Sequence, residues 1–514
     1  MQYRSTTTAN PTHWRTFYVL FALLFLLILF PILRADRYYN DDVARAITGF
    51  YGWDINGRPL ATLVMRLLQF NLRHLVDISP LPQIGAIVVL SAIGVLIARR
   101  YRLGSPWLAA LVSFPLGAQP FYLENLSYRF DALGMSLALL FALLPFLACR
   151  DDYKGRVFGQ ISLFASLCLY QPALSVFLTF ALAEWVIAQL DGREPRELLS
   201  AMGWRIAQCV VAIVAYKVIV ARTIDDWLKQ HSATVGSTRE LWMLKANASN
   251  FYGYIAQSFN IHWARCAGAL LLLAGPGPFL AAIRYIRQRP QTGRVQCLAW
   301  LAAGLLIPVL AVLAITLPML PLRSPVVMPR VFMGVGALLC ASLVSSCLLM
   351  RAWRLSDHWT LTYAGFWALG MASFAAIYGN ALGAQKSFED RVVAQLSDDL
   401  AAIAAKQPIR FILIDGSVGF APVTLRAAQQ FPLIETLVLP YLREADFRTA
   451  FYLRYYLRET PELAREPDSQ LRVAAILAQA CKVSVNNVSS NYALRIVGDT
   501  VVATFPSGTP KSCH

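Results

Sequence analysis

Charged residues are scarce in this sequence of 514 residues. Asp, Glu, Lys and Arg make up 15% of the chain, whereas ordinary soluble domains contain about 25%. Hydrophobic residues make up 57%. The composition therefore excludes an ordinary soluble enzyme and indicates a polytopic α-helical membrane protein.

Several sequence signatures are also absent. The nine cysteines form no Cys-x-x-Cys motif, and most lie in apolar segments, where they act as small apolar residues. No Walker or Rossmann glycine pattern occurs between a strand and a helix, which argues against a soluble nucleotide as substrate. The first apolar segment lacks a small-residue cleavage site, so we expect no cleaved signal peptide.

Apolar segments of spanning length run through the first three quarters of the chain. A helix needs roughly 17–25 residues to cross a bilayer, and about eleven segments approach this length. They are 16–34, 84–99, 105–120, 132–149, 157–171, 173–190, 205–221, 264–283, 295–317, 331–350 and 360–379.

The basic residues predict the orientation. Lys and Arg concentrate in alternate short loops, which are then cytoplasmic, and the net charge of +16 reflects this topology rather than nucleic-acid binding. The N-terminus is expected inside and the C-terminus outside, in the periplasm or its equivalent. The residues predicted to lie on the cytoplasmic side are Arg4, Arg15, Arg99, Arg100, Arg102, Arg150, Arg156, Arg193, Arg196, Arg284, Arg294, Arg351 and Arg354.

Two adjacent carboxylates follow the first apolar segment, in the outer loop 35–83. Asp41 and Asp42 lie where acidic groups are costly near lipid, which makes them a functional-site hypothesis. The alternative is a solvated helix cap, since Asn and Asp favour N-caps. As functional groups they could act as a general base or could hold a divalent cation, and the sequence does not decide between these roles.

Two helices are expected in the same loop. One spans about 41–51 and is closed by Gly52. The other covers 58–76, where the apolar residues form one stripe and Arg66, Gln69 and Arg73 lie opposite. Such a helix either lies in the membrane interface or packs against the bundle, and both can hold at once.

Further polar residues fall on the predicted outer side of the membrane. They are Arg129, Asp131, Tyr170, Gln171, Lys217 and Arg330. Each has a structural alternative: an ion pair, a turn, or a snorkelling side chain. Together they supply acidic groups that could deprotonate a hydroxyl and cations that could hold a phosphate. This combination predicts a site for a lipid-phosphate substrate.

Five short motifs resemble the bacterial type II O-antigen glucosyltransferases, the phage-type serotype-converting enzymes. The motifs, which occur in order over about residues 35–380, are Asn40-Asp41-Asp42-Val43-Ala44-Arg45, Gly52-Trp53, Gly57-Arg58-Pro59, Tyr128-Arg129-Phe130-Asp131 and Leu169-Tyr170-Gln171-Pro172. The resemblance implies a GT-C-like glycosyltransferase of the bacterial inner membrane.

The resemblance also implies substrates and partners. The donor would be a polyprenyl-phosphate sugar, expected to be glucose, and the acceptor a lipopolysaccharide O-antigen or related envelope glycan on the periplasmic face. Membrane lipids and the membrane proteins that make and flip the donor would be partners, and nucleic acid would not. No cofactor is implied with certainty; a divalent cation at Asp41 and Asp42 is the alternative stated above.

The chemistry assigns roles to the candidate residues. A sugar leaving a lipid phosphate needs a carboxylate to take the acceptor's proton and cations to stabilise the departing phosphate. Asp41 or Asp42 is the candidate base, and the candidate phosphate ligands are Arg129, Lys217 and Arg330. The remaining candidate substrate-binding residues are Arg45, Arg58, Asp131, Tyr170 and Gln171.

Two other classes of function remain open. One is a different GT-C-type lipid-linked sugar transferase, a polymerase or a ligase. The other is a transporter or flippase with Asp41 and Asp42 as ion sites, although no inverted repeat is evident in the hydropathy.

The C-terminal region is expected to form a separate domain. We predict a transmembrane glycosyltransferase domain over 1–379 and a small periplasmic α/β domain over 380–514. The latter would have strands at 411–414 and 435–439, a helix over 441–458, and a hairpin of 493–497 with 500–505. The segment Asp415–Gly419 is interpreted as an ordinary turn.

Cys481 and Cys513 are the two cysteines of this C-terminal region. We predict a disulfide between them, which an oxidising periplasm permits; two unpaired thiols are the alternative.

Overall fold

The computed structural model describes residues 11–149, 152–220, 222, 224–291, 293–444, 446–456 and 469–506. The chain is mostly α-helical, with a small sheet near its C-terminus. It forms two compact units. The first contains Met1–Pro31 and Tyr51–Ala376, and the second contains Ile32–Phe50 and Ile377–His514. By this division Ile32–Phe50 belongs with the C-terminal region, whereas the predicted boundary at 379 places this segment in the other domain.

The helices of the N-terminal half are α1 (Pro11–Ala35), α2 (Asp42–Thr48), α3 (Pro59–Gln69), α4 (Leu81–Arg100), α5 (Pro106–Ser113), α6 (Pro115–Ala118), α7 (Tyr122–Ser127), α8 (Ala132–Leu147), α9 (Tyr153–Leu169), α10 (Leu174–Leu190) and α11 (Pro195–Ile219). They are followed by α12 (Asp226–Ser232), α13 (Trp242–Gln257), α14 (Ile261–Ala274), α15 (Gly277–Arg287), α16 (Arg294–Ala314), α17 (Met333–Ala352) and α18 (His358–Ala404). The C-terminal helices are α19 (Pro422–Gln430), α20 (Leu433–Leu437), α21 (Phe447–Tyr456) and α22 (Ser469–Ala480).

Seven helical segments among the described residues are long and apolar enough to cross a membrane. They are Trp14–Ala35, Leu81–Arg100, Gln171–Leu190, Pro195–Ile219, Arg294–Ala314, Met333–Ala352 and His358–Ala404. The other four predicted spans lie on shorter or interrupted helices. For example, 264–283 is broken between α14 and α15, where Pro276 and Pro278 disfavour a continuous helix. The structure supports a helical membrane protein, and the count of eleven stays a prediction.

The two helices of loop 35–83 are shorter than expected. The helix that begins after Asp41 ends at Thr48, because Gly49 adopts a left-handed conformation there. Helix α3 ends at Gln69 rather than near Val76. It buries Ala61, Thr62 and Met65, whereas Leu63 and Leu67 on its other side are exposed. The helix therefore packs through one face, and its exposed apolar residues are available to lipid.

Helices α10 and α17 position the polar residues of the first unit. Each is preceded by a short 3-10 turn, Gln171–Ala173 and Pro329–Val331 respectively. The two helices are in close contact near these starts. A Cβ atom at Gly334 would lie 3.0 Å from Ser175 Oγ of α10, so glycine permits the approach. The polar turns before α10 and α17 are thereby brought to the same end of the bundle.

The second unit contains a four-stranded sheet of order β1-β4-β3-β2. Its strands are β1 (Phe411–Asp415), β2 (Asn487–Val488), β3 (Ala493–Val497) and β4 (Thr500–Thr504). Strand β1 pairs parallel with β4, aligning Phe411 with Thr500, and β3 pairs antiparallel with β4. The predicted strand at 411–414 and the predicted hairpin are therefore confirmed.

Two further predictions in this region differ from the structure, one in the type of element and the other in where the helix begins. Residues 435–439 are not a strand, because helix α20 covers Leu433–Leu437 and buries Leu433, Ile434 and Leu437 at helical spacing. The helix expected over 441–458 begins only at Phe447. The short apolar run at 435–439 was ambiguous between strand and helix, whereas the second prediction had the correct type of element.

The core of the second unit lies between its part of α18 and the sheet. Buried residues of α18, such as Val393 and Leu396, belong to the same hydrophobic cluster as Ile412 and Val501 of the sheet. Cys481 is disulfide-bonded. Cys513, its predicted partner, lies outside the described residues, so the pairing stays a prediction.

Candidate functional site

Arg58 and Asp131 form the centre of a polar network in the first unit. Arg58 Nη1 lies 3.6 Å from Asp131 Oδ1, and Trp53 Nε1 donates to the same oxygen at 2.7 Å. The Arg58 guanidinium also lies over the ring of Tyr170, 4.6 Å from its centroid. Three of the predicted substrate-binding residues are thus brought together by contacts. Trp53 was quoted within a motif but was not predicted as a site residue.

Gln171, another predicted residue, fixes the turn that precedes Arg58. Its Nε2 donates to the carbonyl of Gly57 at 3.0 Å, and the hydroxyl of Tyr216 on α11 donates to the same carbonyl at 2.9 Å. Gly57 has φ of +71°, and a Cβ atom there would lie 2.3 Å from the Tyr216 hydroxyl. This explains the glycine of the Gly57-Arg58-Pro59 motif: only glycine allows the turn and its two hydrogen bonds.

Arg330 lies in the turn before α17 and is held by a buried carboxylate. Glu124 accepts from the Arg330 backbone N–H at 2.6 Å and from Nη1 at 2.8 Å, and the Tyr128 hydroxyl lies 2.6 Å from the same nitrogen. The hydroxyl of Tyr170 donates to the Arg330 carbonyl at 3.3 Å. Tyr170 therefore links Arg58 and Arg330 in one network.

The other two predicted phosphate ligands have different surroundings. Arg129 pairs with Asp77 through Nη1 and Oδ2 at 3.1 Å. Lys217 is exposed near the end of α11 and makes no ion pair with any residue of the described part of the chain. Its neighbour Tyr216 turns toward Gly57 instead. Contacts thus connect Arg330 to the network of Arg58, and they do not connect Lys217 to it.

The acidic loop belongs to the second unit, and its two carboxylates differ. Asp41 occupies the N-cap position of α2 without a capping bond, and its side chain is 37% exposed. Its Oδ2 lies 3.2 Å from Nε of Arg45, one turn later in the helix. Asp42 is fully buried and accepts a hydrogen bond from the backbone N–H of Tyr39 at 3.2 Å. Asp41 is therefore the more accessible carboxylate.

A cation bound at these carboxylates would be repelled by the positive charge of Arg45, which pairs with Asp41. Within the described part of the chain, no group of three or more His, Cys, Asp or Glu side chains is arranged to hold a metal ion. Asp41 and Asp42 remain the predicted ligands if a divalent cation takes part.

Sequence reasoning missed the residues that hold the cationic side chains. Glu124, Tyr128 and Tyr216 were not predicted as site residues, yet they hold Arg330 or the turn before Arg58. A signal was available for Glu124, because a carboxylate between apolar segments is rare and costly without a partner. Tyr128 belongs to the motif Tyr128-Arg129-Phe130-Asp131, which was a signal for it. No comparable signal marks Tyr216, since partly buried tyrosines are common.

Comparison with known proteins gives two matches. The family model described as "Glucosyl transferase GtrII" matches residues 30–341. A protein of Salmonella phage P22, described as an uncharacterized 55.3 kDa protein in the gtrB 5′ region, is 25% identical over 506 residues, which cover 96% of this chain and 98% of that protein. No solved structure matches.

Proposed function

We propose, from the premise that this chain belongs to the GtrII glucosyl transferase family, that it moves glucose from a polyprenyl-phosphate donor to an O-antigen or related envelope glycan. Transfer would take place on the periplasmic face of the bacterial inner membrane. Family membership confirms the resemblance of the five motifs. The donor carrier, the acceptor and the face of the membrane are the proposed parts.

The observation that carries the proposal is the link between Arg58 and Arg330 through Tyr170. The ring of Tyr170 lies beneath one guanidinium, and its hydroxyl bonds the carbonyl of the other arginine. Arginine is suited to phosphate because its planar donors fit the phosphate oxygens. Two arginines joined by one buried side chain, at the shared end of α10 and α17, therefore support a site for the donor's phosphate.

The proposed reaction is a displacement at the anomeric carbon of the sugar. A hydroxyl of the acceptor attacks this carbon and gives its proton to a carboxylate, while the bond between the carbon and the phosphate oxygen breaks. The lipid phosphate leaves with the bonding electrons, and Arg58 and Arg330 stabilise its negative charge. No nucleotide is needed, because the lipid phosphate is the leaving group.

Asp41 is the proposed base. Its carboxylate is partly exposed, whereas the carboxylate of Asp42 is fully buried and accepts a backbone hydrogen bond. A base must reach the hydroxyl that it deprotonates. Arg45 lies beside Asp41 and leaves its carboxylate partly exposed, and Asp42 holds the conformation of the loop.

A reconstituted transfer assay tests this function. The purified protein in proteoliposomes is given radiolabelled glucose either on a polyprenyl phosphate or on UDP, together with lipopolysaccharide as acceptor. We expect label to enter the acceptor from the lipid-linked donor alone. Transfer from UDP-glucose with no transfer from the lipid-linked donor would overturn the proposed donor. Glycan analysis of the host envelope with and without the protein identifies the acceptor and linkage.

A further inference from the structure

We propose that the C-terminal residues of the second unit position the acidic loop for catalysis, with Glu389 and Tyr441 as the positioning residues. The inference rests on the proposed role of Asp41 as the base. It assigns a function to a part of the chain that lies beyond the family match, which ends at residue 341.

The first attachment is an ion pair between the loop and α18. Arg37 Nη2 lies 2.6 Å from Glu389 Oε2, and both side chains are almost completely buried. The other Glu389 oxygen accepts from the backbone N–H groups of Tyr441 and Leu442. Arg37 also donates to the carbonyl of Leu439 at 2.7 Å. A buried ion pair is costly to break by removing one partner, because the remaining charge would be left without a partner.

The second attachment is the hydroxyl of Tyr441. It donates to the carbonyl of Tyr38 at 2.7 Å and accepts from the backbone N–H of Asn40 at 2.7 Å. Burial raises the pKa of Tyr441, so the hydroxyl stays protonated and keeps its donor role. The Tyr441 ring also lies under the Arg37 guanidinium, 4.1 Å away. One side chain therefore holds the backbone on both sides of Tyr39.

The third attachment holds Asn40, the residue directly before Asp41. Arg448 of α21 donates to Asn40 Oδ1 at 3.1 Å and is itself held by Asp446. Asn40 has φ of +51°, a left-handed conformation that Asn adopts more readily than most residues. The backbone just before Asp41 is therefore fixed in a special conformation by residues about 400 positions later in the chain.

These attachments position the Asp41 carboxylate as well as stabilising the second unit. The bonds end on the backbone of Tyr38 and Asn40 and on the side chains of Arg37 and Asn40, all within four residues of Asp41. A general base must be held close to its productive geometry, and a displacement of about 1 Å can cost about 10²-fold in rate. The bonds converge on the segment whose position sets the direction of the Asp41 carboxylate.

A matched pair of tyrosine variants tests the proposal. Tyr441→Phe removes only the hydroxyl that bonds the loop. Tyr492→Phe removes a hydroxyl of the same unit that bonds Asp399 at 2.7 Å, and Tyr492 is similarly buried. We expect Tyr441→Phe to lower kcat by about tenfold with the donor KM unchanged, and to accelerate hydrogen exchange of residues 36–45. Tyr492→Phe should change neither kcat nor the hydrogen exchange of residues 36–45. Unchanged exchange in Tyr441→Phe, or an equal loss of kcat in both variants, would overturn the proposal.

Glu389→Gln provides the second test and separates this proposal from the proposed function. It should accelerate exchange of the same segment more strongly, since it leaves Arg37 buried without its counter-charge. If Glu389→Gln fails to fold, the Tyr441→Phe result decides alone. If Asp41→Asn keeps full activity, the base assignment fails, whereas faster exchange in Tyr441→Phe would still show that the C-terminal residues hold the loop.

Discussion

The two parts of the candidate machinery are stabilised in different ways. In the first unit, the network of Arg58 and Arg330 is built from turns that lie at the ends of membrane helices, and neighbouring helices of the same bundle support it. In the second unit, the acidic loop is a short segment whose supports come from α18, α21 and the segment before α21. The side chains of Arg58 and Arg330 are therefore fixed by helix packing, and the candidate base is fixed by long-range hydrogen bonds.

Substitution of the two acidic residues tests the second unit and should have the largest effect. We expect Asp41→Asn to lower kcat by about 10²-fold or more, because general bases contribute 10² to 10⁴. The fold should survive, since the Asp41 side chain is partly exposed. Initial rates of transfer in proteoliposomes give kcat, and thermal denaturation reports the fold.

Asp42→Asn is the matched comparison. Asparagine retains an oxygen that can accept from the Tyr39 N–H, so we expect a smaller loss of kcat than in Asp41→Asn. A larger loss in Asp42→Asn, with the fold intact, would reverse the assignment of the base.

Substitution of Arg330 tests the first unit. Arg330→Met should raise the donor KM by about 10- to 100-fold, the range expected when a hydrogen-bonded charge on an anion is lost. In Arg330→Met, Glu124 would be left buried without its partner. The double variant Arg330→Met with Glu124→Gln should therefore be more stable than Arg330→Met alone and should bind the donor equally poorly. Steady-state kinetics with varied donor concentration measure the KM.

Arg205→Met is the control for this prediction. Arg205 pairs with Glu184 at 2.8 Å in the same unit, outside the network of Arg58 and Arg330. Its loss should lower stability without raising the donor KM. An equal rise in KM for both arginine variants would show that the effect of Arg330 is structural.

The pH dependence of the stability that Asp446 contributes should be the smallest of these effects. Burial acts to raise its pKa, but hydrogen bonds from Arg448 and Arg443 outweigh burial and hold the pKa of Asp446 below its usual value. A carboxyl with a lowered folded pKa stabilises the protein above its unfolded pKa, about 3.9, and loses that contribution as pH falls through the folded value. Wild type should therefore be more stable than Asp446→Asn at pH 7, with the difference shrinking below pH 4.

Calorimetric unfolding of the two proteins from pH 3 to pH 7 checks this expectation. A stability difference that stays constant across the range would contradict it.

Part of the site could be predicted from local sequence. Asp41 and Arg45 are four residues apart, which places them on one face of a helix, and they do pair. Asp131, Tyr170 and Gln171 were selected as polar residues beside apolar segments, and Arg58 belongs to the Gly57-Arg58-Pro59 motif. Contacts connect all four to one network. Lys217 was selected by the same rule and is not connected, because its direction on α11 differs from that of Tyr216.

The sequence by itself determined the membrane class, the approximate positions of the helices and the family, because hydrophobic runs and short motifs are local properties of the chain. Only the tertiary structure decided that Asp42 is buried while Asp41 is partly exposed, that Glu124 holds Arg330, and that Glu389 and Tyr441 hold the acidic loop. These facts depend on pairs of residues separated by up to about 400 positions, and no local pattern records which distant side chain satisfies a buried charge or backbone group.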